Sequence, residues 1–195
     1  MKKESKWMKM FRNTSLDYDR YVICRKAFMG GYTHANYMYA GQIMENVDSY
    51  DFGSAYPFAI ATEKFPVAPL KRLPNANIYD LKRLLSTDNY LFICTITAKN
   101  VRARGTMTYL SSSHCEVSSD SVLDNGRIFK ADMIKTTCTS LDLAIILRMY
   151  KIDAIRVDEC YYCRADYLPS GIVCTMLKYY NNKQSLKHVK GEELN

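Results

Sequence analysis

Tyr50-Asp51-Phe52-Gly53-Ser54-Ala55-Tyr56-Pro57 is the stretch that decides how this chain is to be understood. Its apolar approach, Val47–Phe52, predicts a short strand, and Ser54–Thr62, with Pro57 near the first turn, predicts a helix that follows at once. An aspartate closing a strand before a tight turn lifts its carboxylate off a sheet edge. The backbone N–H groups of Phe52–Ala55 then sit at a helix N-terminus, where an anionic phosphate is favoured. A carboxylate beside a phosphate cradle suits Mg²⁺, which takes one or two carboxylates together with substrate phosphates. The same residues also fit a plain strand–turn–helix in which Asp51 only caps the helix.

The charge distribution places this stretch between basic neighbours. Residues 1–30 and 71–110 each carry an excess of five positive charges, whereas 31–70 carry an excess of three negative ones, within a chain of net charge +7. An enzyme that grips a polyanion while holding divalent metal needs both features. At 195 residues and 48% hydrophobic positions the chain is long and apolar enough for a globular core. Its longest apolar run, around Leu143–Leu147, is far short of a membrane span. Met1–Met10 has basic residues with no apolar segment after them, so no export signal is expected and the location expected is cytoplasmic. Seven scattered cysteines without framework spacing then read as reduced thiols.

Outward from the central stretch, the periodicities predict a mixed α+β fold. Helices are expected over Asp17–Phe28 (ended by Gly30-Gly31), over Ile78–Leu85 (capped by Asn75 or Asn77) and over Leu141–Tyr150 (after the capping box Thr139-Ser140-Leu141-Asp142). A long helix is expected from Pro169-Ser170 through Val189. Strands are expected at Tyr90–Ala98, Thr106–Leu110, Arg127–Ala131 after the turn Asp124-Asn125-Gly126, and Ala154–Arg164.

Asp51-Phe52-Gly53-Ser54-Ala55-Tyr56-Pro57 resembles motif A of family B DNA polymerases, D-x-x-S-L-Y-P, with Ala55 in place of leucine. Phe28-Met29-Gly30-Gly31-Tyr32 is similar to the Y-x-G-G motif of the same family, at a fitting distance upstream. Asp124–Ile128, Thr139–Asp142, Leu168-Pro169 and Leu177–Lys183 resemble the protein-primed phage and plasmid branch. The resemblance implies an incomplete palm over 1–70, an inserted β-rich subdomain over 71–140 that contacts a priming protein, a return to the palm over 141–168, and the start of a fingers helix over 169–195.

Carried across residue by residue, it implies the following roles. Asp51 is the first metal-binding catalytic aspartate and the Phe52 carbonyl completes the metal shell. Amides near Gly53, Ser54 and Ala55 hold the incoming deoxynucleoside triphosphate, and Tyr56 stacks under its sugar. Lys183 faces the triphosphate, with Lys178 and Lys187 as further candidates. Gly30, Gly31 and Tyr32 contact template–primer DNA. Two Mg²⁺ ions are the implied cofactors. Other exposed tyrosines, Tyr37 and Tyr39 among them, are candidate stacking surfaces.

The fingers motif K-x-x-x-N-S-x-Y-G and the second palm aspartate of Y-x-D-T-D-S do not occur in the sequence. One carboxylate cannot hold two Mg²⁺ ions, so the expectation is a polymerase fragment, inactive alone and completed by the rest of the polymerase. The alternative is a non-catalytic basic module that binds DNA or a priming protein. Cys160-Tyr161-Tyr162-Cys163 has the spacing of half a zinc site, with His114-Cys115 as a conceivable other half, but it falls in an expected strand and reads better as two ordinary thiols.

Overall fold

The computed structural model describes residues 6–33 and 37–192, with side chains over 8–33 and 38–186. Six helices are described: α1 (Lys6–Asn13), α2 (Tyr18–Ala27), α3 (Ala55–Thr62), α4 (Ile78–Leu85), α5 (Ser140–Met149) and α6 (Ser170–Glu192). Eight strands accompany them: β1 (Lys64–Pro66), β2 (Lys71–Arg72), β3 (Tyr90–Ala103), β4 (Cys115–Val117), β5 (Val122–Asp124), β6 (Arg127–Thr139), β7 (Tyr150–Lys151) and β8 (Ala154–Tyr167). The fold is α+β, as the periodicities imply. None of the described helices is long and apolar enough to cross a membrane.

Three long strands form the frame. β3 pairs with β6 on one side and with β8 on the other, all antiparallel. β1 and β2 extend the sheet beyond β8, and β4 and β5 extend it beyond β6. The sheet therefore joins strands drawn from 64–66 through 154–167. Period-two alternation sorts β3 by face. Phe92, Cys94, Ile96 and Ala98 point into the main core with Ile134 and Cys138 of β6, and α4 and α5 close that side with Leu81, Leu143 and Ile146.

The opposite face is apolar at one end only, where Ile23 of α2 packs on Leu70, Tyr161 and Cys163. Beyond it the face turns polar: the Thr95 and Thr137 hydroxyls pair at 2.9 Å, and Thr97 donates to Asp158 at 2.6 Å. A groove of about 600 Å³ opens here, lined among others by Arg25, Lys26, Arg72, Lys135 and Glu159.

Local chemistry explains most element ends. Asp17 caps α2 by accepting from the Arg20 N–H. Asn77, not Asn75, caps α4 in a reciprocal box with Asp80. At α5 the Asp142 carboxylate accepts from the Thr139 N–H at 2.8 Å while the Thr139 hydroxyl accepts from the Asp142 N–H at 3.3 Å. Asn125 and Gly126 both take positive φ (47° and 72°), the conformation a two-residue hairpin with native strand twist requires.

Two expected strands are absent. Residues 47–52 form no ladder with any described residue; they run as exposed irregular chain. A strand exists only with a partner for its N–H and C=O groups, and apolar content alone does not supply one. Residues 106–110 are also irregular, for a different reason. The buried Tyr150 hydroxyl accepts from the N–H groups of Tyr109 (2.8 Å) and Leu110 (3.0 Å) and donates to the Ile128 carbonyl (2.9 Å). A side chain takes the donors that a neighbouring strand would otherwise satisfy.

Candidate functional site

The turn before α3 is built by Ser54, whose backbone takes the left-handed conformation (φ 68°, ψ 38°). A side chain seldom adopts that geometry, and here it reverses the chain within two residues. Ser54 occupies the N-cap position yet makes no side-chain cap; its hydroxyl instead donates to the Tyr180 hydroxyl of α6 at 2.8 Å. The Gln184 amide donates to the same oxygen at 2.6 Å. At the start of α3, Pro57 carries no N–H and the Phe58 N–H is spent on the Ser54 carbonyl. The amides of Ala55 and Tyr56 thus face outward without a capping side chain.

Asp51 is exposed and makes no hydrogen bond or ion pair with any described residue. Phe52 and Tyr56 beside it are 87% and 85% exposed. α3 is apolar up to Thr62, and none of its residues is fully buried. Tyr56 and Phe58 leave an apolar face of it open, a surface suited to contact with something else. α6 packs against α3 and brings Lys183, exposed and one turn from Tyr180, toward this segment. Lys178 lies two residues from Tyr180 and so on the opposite side of α6. The Lys187 and Tyr37 side chains lie outside the described ones.

A metal site needs converging oxygen donors. The Asp51 carboxylate and the Phe52 carbonyl are hard oxygen ligands of the kind Mg²⁺ prefers. No group of three or more His, Cys, Asp or Glu side chains converges among the described residues. The segment fits an ion that brings further oxygens with it, as nucleotide-bound Mg²⁺ does, and does not by itself form a closed cage.

Cys160 and Cys163 are three apart on β8 and point to opposite faces. Cys160 joins the main core and Cys163 the smaller cluster beneath α2. They cannot share one metal ion. Burial pushes their thiols up to about 12 and about 11, and that of Cys115 up to about 11. These are inert core groups.

Gly30 has positive φ (72°), which favours glycine for backbone reasons. Gly31 does not, and beyond its chain neighbours no atom of the described residues lies within 4 Å of where a Cβ would stand. Nothing in the packing of the described residues requires glycine there. Tyr32 is engaged within the molecule: its hydroxyl donates to the Thr108 carbonyl at 2.8 Å and its ring stacks on Tyr109 at 6.1 Å. Tyr180 is not foreseeable as the partner of Ser54 from any spacing rule, because the two lie 126 positions apart.

The chain belongs to the organellar and viral DNA polymerases of type B, whose family model matches residues 1–162. Among solved structures, Phi29 DNA polymerase complexed with primer–template DNA and incoming nucleotide substrates is similar over 90% of this chain, with 15% identity and a TM-score of 0.64. The orthorhombic crystal form of Phi29 DNA polymerase is similar over 91%, with 14% identity and a TM-score of 0.62. The chain spans 28% and 29% of those two polymerase chains. A comparison with curated proteins gives no match.

Proposed function

We propose that this chain supplies part of a DNA-directed DNA polymerase that extends a primer on a template from deoxynucleoside triphosphates. The observation that carries the reading is Asp51, an exposed carboxylate without a partner among the described residues, four residues ahead of a helix whose first amides have no capping side chain. In this reading Asp51 and the Phe52 carbonyl hold Mg²⁺ together with the nucleotide. When bound, Mg²⁺ lowers the pKa of the primer 3′-hydroxyl and neutralises charge on the departing pyrophosphate.

The chain's own residues bind and orient. Amides at Ala55 and Tyr56 receive phosphate oxygens, the Tyr56 ring lies against the sugar and excludes a 2′-hydroxyl, and Lys183 meets the triphosphate from α6. Gly30 and Gly31 allow the template strand close to the backbone, consistent with the open space beside Gly31. Residues 71–140 act as the inserted subdomain that meets a priming protein, between palm segments at 1–70 and 141–168, and 169–195 begin the fingers. A second aspartate and the remaining fingers residues come from the rest of the polymerase, so this chain alone is inactive.

The test is primer extension by the polymerase that contains this segment. Asp51→Ala should abolish templated incorporation while DNA binding survives. The alternative, a basic module that only binds DNA or a priming protein, draws on the groove with Arg25, Lys26 and Arg72. It gains if incorporation is indifferent to Asp51. Templated synthesis by this chain alone overturns the division of labour between two parts.

A further inference from the structure

Arg127 opens β6 immediately after the Asn125–Gly126 turn, and its side chain joins the segment that follows Gly30-Gly31 to the irregular segment at 106–110. One guanidinium nitrogen donates to the Thr33 carbonyl at 3.1 Å and another to the Tyr109 carbonyl at 2.9 Å. The guanidinium plane lies over the Tyr32 ring, 4.8 Å from its centre. The Tyr32 ring also stacks on Tyr109, whose hydroxyl donates to Asp142 at 2.5 Å. Tyr32 is thus held by Arg127 and Tyr109 together, with its own hydroxyl anchored on Thr108. This clamp reaches across about 95 residues of sequence and ties the segment after the glycine pair to the start of β6.

We infer that Arg127 is a positioning residue that fixes the Gly30–Gly31 loop against the β5–β6 hairpin, so that the loop meets DNA in one conformation. The inference rests on the proposed DNA-contacting role of that loop. Its chemistry separates it from an ordinary basic DNA contact. Both of Arg127's hydrogen bonds and its aromatic contact point into the protein, so the guanidinium acts through its planar fork and not as a phosphate ligand. Tyr32, which composition and position suggest as a stacking residue for DNA, serves as the handle by which the loop is held.

Two predictions follow for binding of the 195-residue chain to a primer–template duplex, measured by fluorescence anisotropy over a series of salt concentrations. Arg127→Gln should weaken binding by about tenfold, the scale of one lost charge-assisted hydrogen bond, with the slope of log Kd against log salt unchanged. Arg127→Lys should weaken it too, because a lysine keeps the charge but cannot make the fork. A salt slope smaller by about one in Arg127→Gln shows a direct phosphate contact and overturns the inference. Full affinity in Arg127→Lys overturns it as well.

Backbone nitrogen relaxation of the unliganded protein keeps the test independent of DNA. In Arg127→Gln the order parameters of the Gly31 and Tyr32 amides should fall while those of the β3–β8 ladder stay as they were. Unchanged order parameters at Gly31 and Tyr32 overturn the clamp whatever the DNA result. If the wild-type chain fails to bind DNA but the order parameters change as expected, the clamp stands and the proposed role of the loop falls.

Discussion

Tyr150→Phe isolates the device that replaces a strand at residues 106–110. The Tyr150 side chain is 1% exposed, and its oxygen serves two N–H donors and one carbonyl within 3.0 Å. Phenylalanine preserves the ring and its packing, so the change removes only these three bonds. The Tyr109 and Leu110 N–H groups are left without an acceptor beside a buried core; Leu110 itself is 0% exposed. A buried donor stranded in this way costs about 1–3 kcal/mol, and two such donors give about 3–4 kcal/mol once partial relaxation is allowed. That is a large share of the roughly 5–15 kcal/mol by which domains are stable. At about 2–4 °C per kcal/mol for a chain of this size, the melting point should fall by roughly 10 °C. Equilibrium urea unfolding reads this directly: the midpoint should drop with the slope m unchanged. The Thr108 carbonyl that anchors Tyr32 sits in the same segment, so the Tyr32 order parameter should fall as well. A loss below about 1 kcal/mol would refute the reasoning, since it means the backbone finds other partners for groups assigned here to one hydroxyl.

Thr108 offers the opposite sign. Its buried hydroxyl oxygen has no hydrogen-bond partner among the described residues, so Thr108→Val should stabilise the protein by about 1 kcal/mol in the same urea assay. Stability should also fall as pH rises past about 9. There the unfolded thiols ionise while burial keeps Cys160 and Cys163 protonated up to about 12 and about 11, so the folded state holds more protons and loses ground with each step upward. Urea midpoints between pH 7.5 and 10.5 check this, and a flat profile contradicts it. Tyr180→Phe removes the oxygen shared by Ser54 and Gln184, so α6 should loosen from α3 and its amides between 172 and 184 exchange about fivefold faster, the effect of about 1 kcal/mol.

How far the sequence could be read depended on whether the deciding interactions were local. The caps at Asn77 and Thr139 and the Asn125–Gly126 turn are satisfied within three residues, and each appears where the sequence places it. The α+β class and the long helix from Ser170 follow from periodicities of the same short range. Val47–Phe52 and Thr106–Leu110 have strand-like composition, but a strand depends on a partner elsewhere. The first has none among the described residues, and the second surrenders its donors to Tyr150, forty residues on. Of the site, Asp51 and the Ser54 turn were legible as a pattern. The diversion of the Ser54 hydroxyl to Tyr180 and the capture of Tyr32 by Arg127 were not, because no spacing rule links residues that only tertiary packing brings together.

The most direct measurement of the central claim is paramagnetic broadening by Mn²⁺, a stand-in for Mg²⁺, in NMR spectra of the chain with a deoxynucleoside triphosphate present. If Asp51 shares the ion with the nucleotide, amide signals from Asp51 through Tyr56 should broaden selectively, and Asp51→Ala should abolish the effect while leaving the β3, β6 and β8 signals in place. Broadening centred elsewhere, or unaltered in Asp51→Ala, would contradict the assignment.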